Sequence, residues 1–245
     1  MNFQYYSNKK YSKLIKKKNK SPTEISGRYP EDKGSEKYIF SDIVKKLKFK
    51  NKETVLDIGC GYGNLVKKIV KLSHKKNFKL TLCDIKNIIS AIKLNIKTKK
   101  NVEFIEQNFQ NYNFRNKKYD KILIYSVIHY IDKPKLFIDK AFKLLNRNGC
   151  ILIGDLPNVD KKYRFLKSSF GRKFEKDRVK RFDINKLTKN YSSFLKNTKQ
   201  NIKINDKFIQ WIEQKFSKKR AKVLILKQPN KLPYCYTRED ILIKK

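Results

Sequence analysis

The sequence VLDIGCGYGN, residues 55–64, decides the fold of this chain. Residues 55–58 are apolar except for one acid, and their side chains favour a buried β-strand. Glycines follow at positions 59, 61 and 63, where they allow a tight turn and a close approach of a ligand to the backbone. Residues 65–72 then carry apolar side chains at helical spacing. The stretch therefore predicts a strand, a glycine turn and a helix, which together form the first half of a nucleotide-binding α/β unit.

The spacing of these glycines separates two kinds of nucleotide-binding turn. A dinucleotide fingerprint is GxGxxG, whereas this turn is GxGxG with Asp57 two residues before it. The pattern resembles motif I of the class I S-adenosylmethionine-dependent methyltransferases, although any parallel α/β domain can carry a glycine-rich first turn. The resemblance implies that Asp57 orients the methionyl part of S-adenosylmethionine. It also implies cofactor contacts in the loop from Gly59, Cys60, Gly61 and Asn64.

Two further landmarks of that family follow in order. The apolar strand LTLC, residues 80–83, ends in Asp84, about 20 residues past the glycine loop, where an acid binds the ribose hydroxyls. Ile85 stands directly beside this acid. A third short strand, residues 102–105, precedes Asn108 and Phe109, at the place where the family sets an acidic or amide side chain against the adenine. Asn108 departs from the usual aspartate but is still a neutral acceptor.

The next two landmarks complete the order of a methyltransferase sheet. YDKILIY is a predicted fourth strand, and the resemblance places Tyr125, at its exit, beside the transferred methyl group. A predicted helix over 137–145, a turn over 146–149 and a strand over 150–155 follow. Predicted strands at 221–226 and 240–243 then form an antiparallel edge hairpin. The expected fold is α/β and Rossmann-like, with a seven-stranded, mainly parallel sheet and helices on both faces.

The same pattern divides the chain into four expected regions. Residues 1–50 form an N-terminal helical cap and a loop that closes the cleft, and residues 51–156 form the cofactor-binding core. Residues 157–204 are an acceptor-side insertion, and residues 205–245 supply a helix and the edge hairpin. In the cap, Arg28 is a candidate partner for the methionine carboxylate, because a guanidinium binds a carboxylate through two parallel hydrogen bonds. An exposed loop arginine is an equally good interpretation.

The formal net charge of +39 at pH 7 suggests an anionic partner such as nucleic acid. Lysine, asparagine and isoleucine are abundant, however, and alanine occurs only at Ala91, Ala141 and Ala221. An AT-rich genome writes such a composition through its codons, so the charge does not by itself identify RNA or DNA as the substrate. No apolar run approaches the roughly 20 residues that span a bilayer, and the N-terminus lacks an apolar signal core, so a cytoplasmic protein is expected.

The acceptor has to be sought at the ends of the fourth and fifth strands. The segment YSVIHY lacks both the (D/N)PP(Y/F) motif of base amino methylation and a Pro-Cys nucleophile. Tyr125 and Ser126 replace the acid that holds magnesium in catechol-type enzymes, so no metal is expected. His129 and Asp155 are the candidate catalytic bases, since an ordinary histidine pKa of about 6.5 suits proton transfer at neutral pH. Both residues can instead be structural.

The predicted function is methyl transfer from S-adenosylmethionine to a small-molecule or glycan acceptor, with a hydroxyl as the accepting group. The segments GDLPN and LPYCYTREDILI resemble bacterial methyltransferases of sugar and surface-polysaccharide pathways. Two alternatives stay open: an RNA methyltransferase that uses the basic insertion to hold phosphates, and a cofactor-binding protein without catalysis.

Overall fold

A computed structural model describes residues 34–178, 188–197 and 204–245. Its centre is a seven-stranded sheet with the order β3-β2-β1-β4-β5-β7-β6. The strands are β1 (Thr54–Ile58), β2 (Lys79–Cys83), β3 (Val102–Ile105), β4 (Tyr119–Tyr125), β5 (Leu145–Pro157), β6 (Lys222–Leu226) and β7 (Arg238–Lys244). Strands β1 to β5 pair in parallel, and β7 runs antiparallel to both β5 and β6. The expected mainly parallel sheet with its antiparallel edge hairpin is confirmed.

Helices cover both faces of this sheet. They are α1 (Glu36–Leu47), α2 (Asn64–Lys76), α3 (Lys86–Asn95), α4 (Pro134–Lys143), α5 (Val159–Lys167), α6 (Ser169–Arg178), α7 (Tyr191–Asn197) and α8 (Asp206–Ser217). One buried cluster joins α1, α2 and α3 to the sheet, and a second joins α4 and α8 to the opposite face. Among the described residues, no helix is long and apolar enough to cross a membrane.

The alternation of side chains along β1 assigns its residues to the two faces. Val55 packs in the cluster with α1 to α3, whereas Leu56 and Ile58 pack in the cluster with α4 and α8. Since successive strand residues point to opposite faces, Asp57 points to the same face as Val55. The amphipathic helix expected over 206–216 is also present, with Phe208, Ile209, Ile212 and Phe216 buried on its inner face.

One predicted turn is wrong. Residues 146–149 were expected to lie between a helix and the fifth strand, but β5 already begins at Leu145. The pairing of β4 with β5 shifts register between Tyr119 and Lys121, so the extra residues are absorbed as an irregularity of the ladder. Gly149 lies at this crowded place, where an added Cβ would stand 2.9 Å from the carbonyl oxygen of Asp120.

Candidate cofactor and acceptor site

A cavity of about 250 Å³ lies at the carboxyl ends of the parallel strands. Ligands bind at this edge of an open α/β sheet because the loops diverge there. The predicted site residues in its lining are Gly59, Cys60, Gly61, Asn64, Asp84, Ile85, Asn108, Phe109, Tyr125, His129 and Asp155. Asp57 is 3% exposed and does not belong to the lining. Arg28 lies outside the described residues.

Two glycines of the loop, Gly59 and Gly61, have positive φ angles but differ in how closely other atoms approach them. Gly59 has φ 68°, and an added Cβ would stand 2.5 Å from Cγ2 of Val127, which follows β4. Gly61 has φ 62°, but an added Cβ there would meet no atom within 4 Å. Gly59 is therefore required by packing as well as by its backbone conformation, whereas Gly61 faces open space in the cavity wall.

Asp84 ties the glycine loop to the end of β2. Its Oδ2 accepts a hydrogen bond from the Gly61 N–H at 2.9 Å, and its Oδ1 accepts one from the Ile85 N–H at 2.7 Å. The carboxylate thus bridges the loop and the start of α3. The loop is also held from β2 itself, since the Gly59 N–H donates to the Cys83 carbonyl at 2.8 Å.

The ends of β1 and β2 carry two neighbouring acids, Asp57 and Asp84, whose pKa values are both raised. Burial, together with the nearby Asp84, raises the pKa of Asp57 from 3.8 to about 8. Burial also raises the pKa of Asp84 to about 6, against the lowering effect of its two backbone hydrogen bonds. The pKa of the Cys60 thiol is raised by burial and by both acids. Each of these groups resists ionisation, so a cation bound here would relieve the cost of charging them.

The adenine-side candidates are held by local contacts. The Asn108 Oδ1 accepts a hydrogen bond from the Gln110 N–H at 2.9 Å, which fixes the turn after β3. Phe109 is buried, and its ring lies 5.3 Å from that of Phe114 and 4.7 Å from that of Phe137. This packing sets the floor of the cavity beyond β3.

The other end of the cavity lies at the ends of β4 and β5, where the acceptor is expected, and is called the acceptor end below. It contains a largely buried ion pair. Asp155, at the carboxyl end of β5, accepts a short hydrogen bond from Nη1 of Arg238, the first residue of β7. Asp155 also has a left-handed backbone with φ 57°, and its N–H donates to Oδ1 of the buried Asp240 at 2.8 Å. Nε2 of Gln228 bridges the two acids, at 3.4 Å from Asp155 and 3.0 Å from Asp240. Such a strained non-glycine conformation persists only where its surroundings hold it.

His129 lies in the short 3-10 turn after β4, with its ring 4.1 Å from that of Tyr130. Its Nδ1 is buried and has no hydrogen-bond partner among the described residues. Burial, and then the nearby Arg238, lower its pKa to about 3, against the raising effect of Asp155. The expectation of an ordinary histidine pKa at this position is therefore wrong, because the ring is desolvated beside a guanidinium.

A family model described as a methyltransferase domain matches residues 49–215, which is more than half of the 245 residues. The chain belongs to the class I S-adenosylmethionine-dependent methyltransferases. Its cofactor is S-adenosylmethionine.

Curated relatives of this methyltransferase match over part of their length. Ubiquinone biosynthesis O-methyltransferase, mitochondrial, from Dictyostelium discoideum is 32% identical over 112 residues, which cover 42% of this chain and 35% of the relative. Ubiquinone biosynthesis O-methyltransferase from Pelagibacter ubique is 27% identical over 143 residues, covering 53% and 55%. The methyltransferase thus spans between a third and just over half of the length of these relatives.

Solved structures show the same fold at low identity. The plantazolicin methyltransferase BpumL, solved with a pentazolic desmethylPZN analogue and SAH, has a TM-score of 0.58 at 18% identity, covering 99% of this chain and 96% of that chain. The N-methyltransferase NodS from Bradyrhizobium japonicum, solved with S-adenosylhomocysteine, has a TM-score of 0.55 at 10% identity, covering 97% and 96%.

The cavity of the methyltransferase fits its cofactor on three observations. The space over Gly61 is open, a tethered carboxylate from Asp84 faces it, and two acids with raised pKa values would be relieved by a positively charged ligand. S-adenosylmethionine carries both a sulfonium and an ammonium group. Among the described residues, no group of three or more His, Cys, Asp or Glu side chains is arranged to hold a metal ion.

The sequence did not point to several residues that form the acceptor end of the methyltransferase cavity. Arg238, Tyr234 and Tyr130 all line it, and Glu36 lines the cavity from the start of α1. Arg238 stands in the segment YTRED, where an arginine next to two acids is typical of a solvated surface. Only the antiparallel pairing of β7 with β5, which places Arg238 opposite Pro157, brings its side chain to the site.

Proposed function

We propose that this methyltransferase transfers the methyl group of S-adenosylmethionine to a hydroxyl group of a small-molecule acceptor. One observation carries the proposal. A single cavity has a tethered acid and an open glycine loop at one end, and a neutral, half-buried histidine beside an ion pair at the other.

At the cofactor end, we assign binding to residues of the first two strand ends. Gly59 and Gly61 shape the loop that lies along the methionyl part, and Asp84 is placed to accept hydrogen bonds from the ribose hydroxyls. Asp57 is set behind this surface, where its carboxyl group interacts with Asp84 and a cationic ligand would favour its ionised form. Cys60, Asn64, Ile85, Asn108 and Phe109 supply the remaining surface, and Tyr125 at the end of β4 borders both the cofactor and the acceptor.

At the acceptor end, the chain has to align a hydroxyl oxygen and accept its proton. When bound, S-adenosylmethionine supplies an electrophilic methyl group on a sulfonium sulfur, so little further activation is required. His129 is neutral at physiological pH because its pKa is about 3. We propose that His129 accepts the proton of the acceptor hydroxyl. The transfer occurs as the oxygen bonds to the methyl carbon, and His129 then releases the proton to solvent. Asp155 is committed to Arg238 and serves to hold that guanidinium.

Two of the relatives are O-methyltransferases, which supports an oxygen acceptor. Other matches are named N- and C-methyltransferases, so the choice of oxygen is an inference for this chain. A glycan hydroxyl presents the same chemistry as a small-molecule hydroxyl and belongs to the same proposal.

RNA is the rival acceptor, because a net charge of +39 would favour a polyanion. A transfer assay with methyl-labelled S-adenosylmethionine and a cell extract separates the two. The extract is divided into a low-molecular-weight fraction and purified RNA, and each is incubated with the protein. We expect label in the small-molecule fraction that resists ribonuclease. Label confined to RNA and lost on ribonuclease treatment would overturn the hydroxyl proposal.

A further inference from the structure

Arg238 is the cationic side chain among the described residues that line the cavity. It lies at the acceptor end, and the side chain is 20% exposed, against 7% for its partner Asp155. Both residues line the cavity, and the guanidinium is the more accessible of the two charged groups.

Arg238 lines the cavity, and its contacts with Asp155 and Tyr234 use only part of its hydrogen-bonding capacity. A guanidinium has five N–H donors in a planar fork. The recorded hydrogen bond to Asp155 uses Nη1, and the guanidinium carbon lies 4.4 Å from the centre of the Tyr234 ring. One face is thus stacked and one edge is paired. The remaining edge matches a carboxylate, which a guanidinium binds through two parallel hydrogen bonds.

We propose that Arg238 binds a carboxylate of the methyl acceptor, so that the substrate class is aromatic hydroxy acids. The inference rests on the proposed function, since it names the acceptor whose hydroxyl is methylated. Nothing in the comparisons assigns this residue.

The aromatic part of the proposal comes from the walls around the guanidinium. Tyr125, Tyr130 and Tyr234 all line the same end of the cavity as His129. The Tyr125 ring is fixed against β5, since an added Cβ on Gly154 would stand 2.4 Å from it. Flat, rigid walls of this kind favour a planar ligand through ring stacking.

The charge of Arg238 at the acceptor end favours an acceptor that carries a carboxylate. His129 senses Arg238 more strongly than Asp155, although the two charges are paired. Arg238 is thus the cation that lines this end, whereas the cofactor end carries the carboxyl groups of Asp57 and Asp84, which a cationic ligand would keep ionised. An acceptor with a carboxylate and a cofactor with a net positive charge would thus each meet the opposite sign.

The test compares acidic and neutral acceptors in one extract. The low-molecular-weight fraction is incubated with methyl-labelled S-adenosylmethionine and protein, and the products are separated on an anion exchanger. A second portion of the extract is first coupled to an amine with carbodiimide, which converts carboxylates to amides but leaves phosphates charged. The protein variants are Arg238→Gln, Arg238→Lys and, as a matched control, Arg164→Gln, which removes an exposed arginine paired with Asp206 on the surface.

We expect the wild-type protein and Arg164→Gln to label mainly products that the exchanger retains, and carbodiimide coupling to abolish that label. Arg238→Gln lowers label in the acidic fraction about 10- to 100-fold more than in the neutral fraction. Arg238→Lys keeps the positive charge but cannot form two parallel hydrogen bonds. Its label in the acidic fraction should therefore lie between those of the wild-type protein and Arg238→Gln. Affinity for S-adenosylhomocysteine, measured in parallel, reports whether each variant is folded.

Two results would overturn the inference while leaving the proposed function intact. One is wild-type label that is not retained or that survives carbodiimide coupling. The other is an equal loss in both fractions for a variant that still binds S-adenosylhomocysteine, because a purely structural arginine would lower all transfer alike. Absence of label in every small-molecule fraction would instead contradict the proposed function.

Discussion

The two ends of the cavity are built in opposite ways. The cofactor end comes from residues close together in the chain, between Asp57 and Ile85, and it is shaped by backbone: positive-φ glycines and N–H groups that donate to one carboxylate. The acceptor end comes from β4, β5 and β7, and it is shaped by buried charge. There Arg238, Asp155, Gln228 and Asp240 form one connected group.

This difference predicts what each end tolerates. The cofactor end is disturbed even by an added methyl group where the loop packs closely, as Gly59 does against Val127. A charge-built end tolerates changes of shape but responds to the loss of one partner, since an uncompensated buried charge is costly. The predictions below test this contrast, beginning with the largest effect.

Gly59→Ala should remove cofactor binding. The new Cβ would overlap Val127 at 2.5 Å and would hold a left-handed backbone with φ 68°, so the loop has to move. A displacement of about 1 Å at a ligand contact costs on the order of 100-fold. Calorimetry with S-adenosylhomocysteine measures the loss.

Gly34→Ala is the matched control for Gly59→Ala. Gly34 also has positive φ, at 86°, but an added Cβ there meets nothing within 4 Å, and the residue does not line the cavity. It should cost roughly 1 kcal/mol of stability and leave cofactor affinity unchanged. Equal loss of binding in both variants would mean that backbone strain, and not the close approach to Val127, explains Gly59.

His129→Asn should lower turnover about 100-fold, at the low end of general-base effects, with cofactor affinity within twofold of wild type. The expected effect is at this low end because the pKa of His129 is about 3, which makes it a weak base. The same pKa predicts that turnover of the wild-type protein shows no titration of His129 between pH 6 and 8. Unchanged turnover in His129→Asn would reduce the residue to a structural role.

Asp84→Asn should weaken cofactor binding about 10- to 100-fold, since hydrogen bonds to a charged group contribute about 1.5–3 kcal/mol. The amide keeps one acceptor oxygen, so either the Gly61 or the Ile85 N–H loses its partner. Glu106→Gln, which removes an exposed partner of Lys93, is the surface control. If the two variants bind S-adenosylhomocysteine equally well, Asp84 does not hold the loop.

Asp57→Asn should stabilise the cofactor-free protein at pH 8. The folded-state pKa of Asp57 is about 8, above its ordinary value of 3.8, so the folded state holds the proton more tightly and stability falls as pH rises between these values. The amide removes that loss, and each recovered kcal/mol raises the Tm by about 2–4 °C. Thermal melts at pH 5 and pH 8 measure the change.

Asp120→Asn provides a control of opposite sign. Burial disfavours the ionised form of Asp120, but hydrogen bonds from Thr54 and Asn146 outweigh it and lower its pKa. This variant should therefore destabilise the protein at pH 8. A fall in Tm at pH 8 for both variants would contradict the conclusion that ionised Asp57 destabilises the folded protein.

The contrast also explains how much of the molecule could be predicted from sequence. The loop at residues 59–63 and the acid Asp84 follow from local rules about glycine and strand ends, so they were located without a structure. The fold followed with them, because alternating strands and helices of this length have few possible arrangements. The strand β5 begins five residues before the predicted start and ends two residues after the predicted end, and the register shift at its start has no sequence signal.

The acceptor end could not be predicted in the same way. Arg238 reaches the cavity through the pairing of β7 with β5, a contact between residues far apart in the chain. The low pKa of His129 depends on that same contact and on burial. Neither property is visible in a motif, because both arise from distances that only the folded chain sets.

The most direct test of the central claim is a calorimetric titration of the wild-type protein with S-adenosylmethionine at pH 6, 7 and 8. The claim is that the wall formed by the ends of β1 and β2 binds the cofactor against two acids with raised pKa values. Because a cationic ligand favours the ionised carboxylates, binding should release protons, and the affinity should increase with pH by at most about tenfold per unit for each proton released. Absence of binding, or an affinity that depends on neither pH nor Asp84, would contradict it.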